Sequence, residues 1–147
     1  FAVCDLDSKL VPASAIALPI GSKRILVVED QPFNQMLISE VMELEGYGVE
    51  ILADGSAMVD RILAASTAPE LLPDLILMDI QLPDVDGFEL MRRVKADPVW
   101  ESVPMIAVTA MAMPGDRDRC LEAGASGYLS KPLDLNLTIA TIRFFLG

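Results

Sequence analysis

Leu75-Ile76-Leu77-Met78-Asp79 decides the fold. Four consecutive large apolar residues leave no polar face, as expected of a central parallel strand covered by helices on both sides. Its last residue is a carboxylate at the end of a buried strand. The same grammar recurs outward from it. Ile25-Leu26-Val27-Val28 is a β-branched run ending in Glu29-Asp30, Met105-Ile106-Ala107-Val108 runs to Thr109, and a brief Tyr128-Leu129 precedes Lys131-Pro132. Val49-Glu50-Ile51-Leu52 alternates instead, which suits an edge strand.

Amphipathic segments separate these runs. Phe33, Leu37, Val41 and Leu44 repeat at helical spacing after Pro32, with Gly46 as a stop. A second helix is expected from about Gly55 to Ala65 with Val59, Ile62 and Leu63 facing inward. A third follows Gly87, carrying Leu90, Met91 and Val94 toward the sheet. A short fourth runs from about Asp116 to Ala123 and stops at Gly124, and Leu135, Ile139, Ile142 and Leu146 stripe the last. The result is five βα units in an α/β fold.

At 147 residues the chain has room for one well-packed domain plus a tail. Its 52% hydrophobic and 22% charged residues describe a buried globule, not a disordered chain. Residues 1–22 combine Pro12, Pro19 and Gly21 without a clean period and read as a linker or N-terminal arm, so the domain spans 23–147. Prolines interrupt Val11–Ile20, and no apolar run reaches the length of a membrane span, so neither a signal core nor membrane insertion is expected.

Charge and composition exclude further classes. Twenty-two acidic against eleven basic side chains give a net charge of −11, which repels phosphate backbones and argues against direct nucleic-acid binding. Cys4 and Cys120 are far apart and outside any paired motif, so free thiols in a reducing cytosol are expected instead of a zinc site or disulfide. There is no histidine, which removes histidine-based nucleophilic catalysis, imidazole metal ligation and an internal phosphohistidine relay.

Parallel strands joined by right-handed crossovers direct their carboxyl ends to one edge, where open α/β sheets bind ligands. Glu29, Asp30, Asp79, Thr109 and Lys131 therefore share one site. Singly, each has a dull explanation as a cap, a turn hydroxyl or a solvated charge. Together, three carboxylates, a hydroxyl and an ammonium form a usable phosphoryl-transfer site. Mg²⁺ uses one or two carboxylates plus phosphate oxygens, a requirement that Asp30 and Asp79 meet. Lys131 and Thr109 can neutralise the equatorial oxygens, leaving Asp79 as nucleophile.

The segments ILVVEDQPFNQ (Ile25 to Gln35), PDLILMDIQLPDVDGFEL (Pro73 to Leu90), VPMIAVTAMAM (Val103 to Met113) and GASGYLSKPL (Gly124 to Leu133) resemble response-regulator receiver domains of the CheY-like type, over about Lys23 to Gly147. The resemblance implies a flavodoxin-like (βα)5 doubly wound parallel sheet of strand order 2-1-3-4-5. It implies that Asp79 is the phosphoacceptor, and that Mg²⁺ or Mn²⁺ is held by Asp30 and Asp79, by Glu29 through water and by the backbone carbonyl of Gln81. Thr109 and Lys131 match the residues that grip the phosphoryl oxygens, and Pro132 the proline whose preceding bond is usually cis. Thr109 and Tyr128 match a switch pair that remodels the face of the fourth helix, fifth strand and fifth helix. That face is expected to bind an output partner or a second copy.

The implied phosphodonor is a histidine kinase or a histidine phosphotransfer protein, and the implied role is a signalling domain of a two-component system, not an enzyme with its own turnover. A cytoplasmic location follows, either free or as the cytosolic part of a membrane-bound kinase. The PFNQ and DIQLP segments suit both hybrid-kinase receivers and single-domain phosphorelay regulators, and the linker-like start without methionine favours the former. The resemblance also implies that Gln81 and Met111 border the path of an attacking water, so that apolar Met111 should leave the phosphoaspartate long-lived. Two other readings differ in class. A haloacid-dehalogenase-like phosphatase needs a second aspartate where Gln81 stands, and a carboxamide cannot shuttle the proton. A phosphate-independent pseudo-receiver leaves the intact acidic cluster unexplained.

Overall fold

In the computed structural model, which describes residues 23–110 and 115–146, five strands form one parallel sheet in the order β2-β1-β3-β4-β5. The strands are β1 (Arg24–Val28), β2 (Gly48–Leu52), β3 (Leu75–Asp79), β4 (Met105–Thr109) and β5 (Gly127–Ser130). The helices between them are α1 (Pro32–Leu44), α2 (Gly55–Ser66), α3 (Gly87–Ala96), α4 (Asp116–Glu122) and α5 (Leu135–Leu146), with a 3₁₀ turn at Pro69–Leu71. This is the expected doubly wound order. The N-terminal arm expected over residues 1–22 lies outside the described residues.

Strand periodicity divides the core in two. Leu26, Val28, Ile76, Met78, Met105 and Ala107 meet α2, α3 and α4 on one face, whereas Ile25, Val27, Leu75, Leu77, Ile106 and Val108 meet α1 and α5 on the other. All five β3 residues are buried, Asp79 included. Each fully buried Leu or Ile stabilises the fold by roughly 1.5–3 kcal/mol. A sheet anchored on both faces is a rigid base for side chains at its edge.

Two helices bury a somewhat different set of residues from the apolar repeat read in the sequence. In α1 the buried residues are Ile38 and Met42, while Phe33 is 67% and Leu44 86% exposed. Phe33, Met36, Leu37, Ile38, Val41, Met42 and Leu44 cover so wide an arc that spacing fixes the helix without fixing its rotation. In α2, Met58, Ile62 and Ala65 are buried and Val59 packs at the margin, but Leu63 faces out at 64% exposure. The inward faces of α3 and α5 agree with the pattern, with Leu90, Met91, Val94 and Ile142 fully buried.

Away from the site edge, Trp100 is fully buried beyond the end of α3 and its indole N–H donates to the Ile62 carbonyl at 3.0 Å. The Arg61 guanidinium lies 5.7 Å from its ring and pairs with Glu50 at 2.9 Å. α4 ends at Gly124, whose φ of 113° places it in the left-handed region that suits glycine. Among the described residues no helix is long and apolar enough to cross a membrane.

Candidate functional site

Sheet register builds the site. Val28 pairs with Met78 across β1 and β3, so Glu29, the next residue, stands level with Asp79. Asp79 in turn pairs with Val108, which puts Thr109 one step beyond it on β4. Thr109 pairs with Ser130, and the Lys131 N–H donates to the Thr109 carbonyl at 2.8 Å. Parallel pairing thus gathers the five expected residues from four chain segments onto one edge.

Glu29, Asp30 and Asp79 each offer a carboxylate oxygen within 4.8 Å of the others. Glu29 and Asp79 are buried and Asp30 is half-buried. Lys131 Nζ lies 3.0 Å from Asp79 Oδ2 and 3.1 Å from Glu29 Oε1, and it is itself only 17% exposed. One ammonium against three carboxylates leaves excess negative charge in a place where like charges are costly.

The titration directions agree. Burial, reinforced by the Asp79 charge, pushes the Glu29 carboxyl above its ordinary range, although its hydrogen bond from the Gln31 N–H and the Lys131 charge oppose this. For Lys131, burial acts downward, but hydrogen bonds to and charges of Asp79 and Glu29 outweigh it and hold the ammonium above its ordinary value. An oxygen-rich, under-neutralised cluster with one half-buried carboxylate fits a hard divalent cation.

Local contacts fix Glu29 and Asp79. The Gln31 N–H donates to Glu29 Oε2 at 3.1 Å, and the Gln35 carboxamide donates to the Glu29 carbonyl at 2.6 Å, tying the start of α1 to the acidic pair. Asp79 divides its two oxygens. Oδ2 takes Lys131, and Oδ1 accepts from the Gln81 N–H at 2.9 Å. The Gln81 side chain reaches across, its Oε1 accepting from the Ala110 N–H at 3.2 Å, so it links the loops after β3 and β4.

The loop after Asp79 is closed by an antiparallel bridge between Gln81 and Asp86. The Gly87 N–H donates to the Ile80 carbonyl at 3.2 Å, and a Cβ on Gly87 would overlap the Ile80 backbone. Asp86 caps α3 by accepting from the Phe88 N–H at 3.0 Å. Asp84, at the tip of this loop, accepts from the Gly55 N–H at 2.8 Å and from the N–H and hydroxyl of Ser56 at 3.0 and 2.8 Å. Sequence reading missed Asp84, because its partners lie 28 and 29 residues earlier and no local pattern marks them.

The remaining expected residues are placed as follows. Thr109 is fully buried at the end of β4. Tyr128 is partly buried on β5 against the core face formed by α2, α3 and α4. Burial, with Cys120 and Asp116 nearby, pushes its hydroxyl up. The Lys131–Pro132 peptide bond is cis. Met111 lies outside the described residues.

Comparisons with known proteins converge on one family. A family profile described as "Response regulator receiver domain" matches residues 25–143. The polar-differentiation response regulator DivK of Brucella anthropi is 40% identical over 125 residues, covering 85% of this chain and 97% of that protein. The fold superimposes on the signal receiver domain of a signal transduction histidine kinase from Syntrophus aciditrophicus with a TM-score of 0.74 at 31% identity, covering 85% and 90% of the two chains. It also matches the receiver domain of the sensor histidine kinase PA1611 from Pseudomonas aeruginosa, described with a magnesium ion coordinated in its active site cleft, at a TM-score of 0.70 and 36% identity, covering 86% and 99%.

Proposed function

The chain belongs to the response regulator receiver domain family, and from that premise we propose that Asp79 accepts a phosphoryl group in a Mg²⁺-dependent reaction and thereby switches a protein-binding face. The observation that supports this most is the division of Asp79 between two donors, Lys131 on Oδ2 and the Gln81 N–H on Oδ1. Two fixed hydrogen bonds orient a buried carboxylate before any donor arrives, and catalysis of phosphoryl transfer rests on such positioning and on charge neutralisation.

In the proposed step a carboxylate oxygen of Asp79 attacks phosphorus, forming an acyl phosphate. The bond from phosphorus to the donor breaks, and its electron pair leaves with the donor. The donor is a phosphohistidine on a histidine kinase or phosphotransfer protein, or a small acyl phosphate, since these 147 residues contain no histidine. Glu29, Asp30, Asp79 and the Gln81 carbonyl would hold Mg²⁺, which when bound supplies positive charge against the carboxylates and the incoming phosphoryl oxygens. Lys131 and the Thr109 hydroxyl serve the same oxygens from the protein side. The chain assists its own phosphorylation and dephosphorylation without turning over a substrate.

Movement of Thr109 toward the phosphoryl group, followed by Tyr128, would transmit occupancy to the face of α4, β5 and α5 for an output partner or a second copy. Incubation with acetyl phosphate and Mg²⁺ tests the reading. The wild type gains one phosphoryl group and Asp79→Asn gains none; no gain on the wild type, or an undiminished gain on the variant, would sink it.

A further inference from the structure

Asp84 belongs to the loop that leaves Asp79, yet its carboxylate is spent on another element. It accepts three hydrogen bonds from the first turn of α2: Gly55 N–H at 2.8 Å, Ser56 N–H at 3.0 Å and Ser56 Oγ at 2.8 Å. The helix has its own cap in Asp54, whose carboxylate accepts from the Ala57 N–H at 2.8 Å. The Met58 N–H turns back to the Asp54 carbonyl at 3.4 Å. The amides of Gly55, Ser56 and Ala57, which no intrahelical carbonyl can satisfy, are therefore all occupied, two of them by a residue from 28 to 29 positions further along the chain.

Packing confirms that the approach is close. A Cβ built on Gly55 would come within 2.5 Å of the Val85 side chain, so glycine there lets the loop lie directly on the helix start. The Asp84 carboxyl is held below its ordinary range, first by the Gly55 N–H and next by the Ser56 hydroxyl, so it stays ionised against the positive end of the helix.

The other end of the same loop carries Gln81, three residues before Asp84, with Pro83 stiffening the span between them. Gln81 gives its N–H to Asp79 and pairs with Asp86, so its carbonyl direction is set by the loop as a whole. A loop of six residues, bridged at its base and free at its tip, would let that carbonyl swing. The Asp84 bonds fix the tip.

We infer that Asp84 is a positioning residue for the divalent-cation site: by fastening the loop to the start of α2 it holds the Gln81 carbonyl where a cation between Glu29, Asp30 and Asp79 can use it. This inference rests on the cation reading above. It assigns the tie to Asp84 and not to helix capping in general, because α2 keeps Asp54 whatever happens at Asp84.

The two aspartates supply the test, with Mn²⁺ alone as the probe and isothermal titration or the Mn²⁺ paramagnetic resonance signal as the readout. Asp84→Ala and Asp54→Ala each remove an acidic cap from α2 and each lower its melting temperature. Asp84→Ala should also weaken Mn²⁺ binding, on the order of 10-fold, as loss of an outer partner of a ligand does. Asp54→Ala should leave the Kd within about 2-fold, since it touches no ligand-bearing loop. Asp84→Glu, which keeps the acceptor, should recover part of the loss. Equal Kd values for wild type and Asp84→Ala, or equal weakening by both alanine variants, overturn the inference. Absence of Mn²⁺ binding by the wild type would instead overturn the cation reading on which it stands.

Discussion

Lys131 Nζ stands 3.0 Å from Asp79 Oδ2, bringing the end of β5 against the end of β3 through an ion pair that is mostly sheltered from water. The same ammonium reaches Glu29 Oε1 at 3.1 Å, so one cation serves two buried carboxylates. Any agent that adds positive charge here eases the shortage.

Lys131→Ala should therefore destabilise the metal-free protein by about 2 kcal/mol, below the roughly 3–5 kcal/mol of a fully buried broken pair because the ammonium keeps some water contact. Mg²⁺ should restore part of the loss by binding only the folded state. Urea unfolding in chelator and in excess Mg²⁺ measures both. An equal loss in the two buffers contradicts the shared-charge account.

Glu29 gives the pH dependence. Burial and then the Asp79 charge hold its folded-state carboxyl above the ordinary value of 4.5. The folded state then binds this proton more readily than the unfolded chain, so the ionised group costs stability at neutral pH. That cost is relieved as pH falls from neutrality through the raised value. In metal-free buffer Glu29→Gln should be more stable than the wild type at pH 7, with the difference shrinking on acidification. Paired urea titrations across that range check it, and a difference that grows on acidification refutes the assignment.

Gly87→Ala should disturb the site directly. The added methyl group overlaps the Ile80 backbone, the residue that follows Asp79, and the loop must shift to accept it. A stability loss of about 1–3 kcal/mol, as for overpacking elsewhere, should accompany weaker Mn²⁺ binding. Normal Mn²⁺ affinity in this variant would show that the loop position is immaterial.

Trp100 provides the opposite case. It is fully buried, its N–H is engaged by the Ile62 carbonyl, and it sits beyond the end of α3 remote from the site. Trp100→Ala should cost about 3–5 kcal/mol, and Trp100→Phe about 1–3 kcal/mol for the lost indole hydrogen bond and lost volume. Mn²⁺ affinity should be unchanged in whichever variant remains folded.

Legibility followed the range of each interaction. Strands are readable because apolar runs such as Leu75–Met78 state their burial locally, and the strand-end polar residues follow from parallel pairing of those strands. Helix rotation is not, because α1 and α2 present apolar residues over more than one face. Leu63 is expected inside and lies outside, and Phe33 and Leu44, which belong to the helical repeat of α1, are exposed. Contacts made across the sheet left no local trace, which is why Asp84 on α2 and Gln81 on the Ala110 N–H appeared only in three dimensions. Gln35, bonded to the Glu29 carbonyl, was hidden likewise in an ordinary helical segment.

The central claim is that Asp79 is the phosphoacceptor and that a divalent cation enables it. Intact-mass measurement after acetyl phosphate treatment, with Mg²⁺ or with chelator, followed by peptide mapping of the adduct, tests both parts together. One phosphoryl group on the peptide containing Asp79, present with Mg²⁺ and lost in chelator or in Asp79→Asn, is the predicted result. A phosphoryl group mapped to another residue, or equal incorporation without a divalent cation, would contradict it.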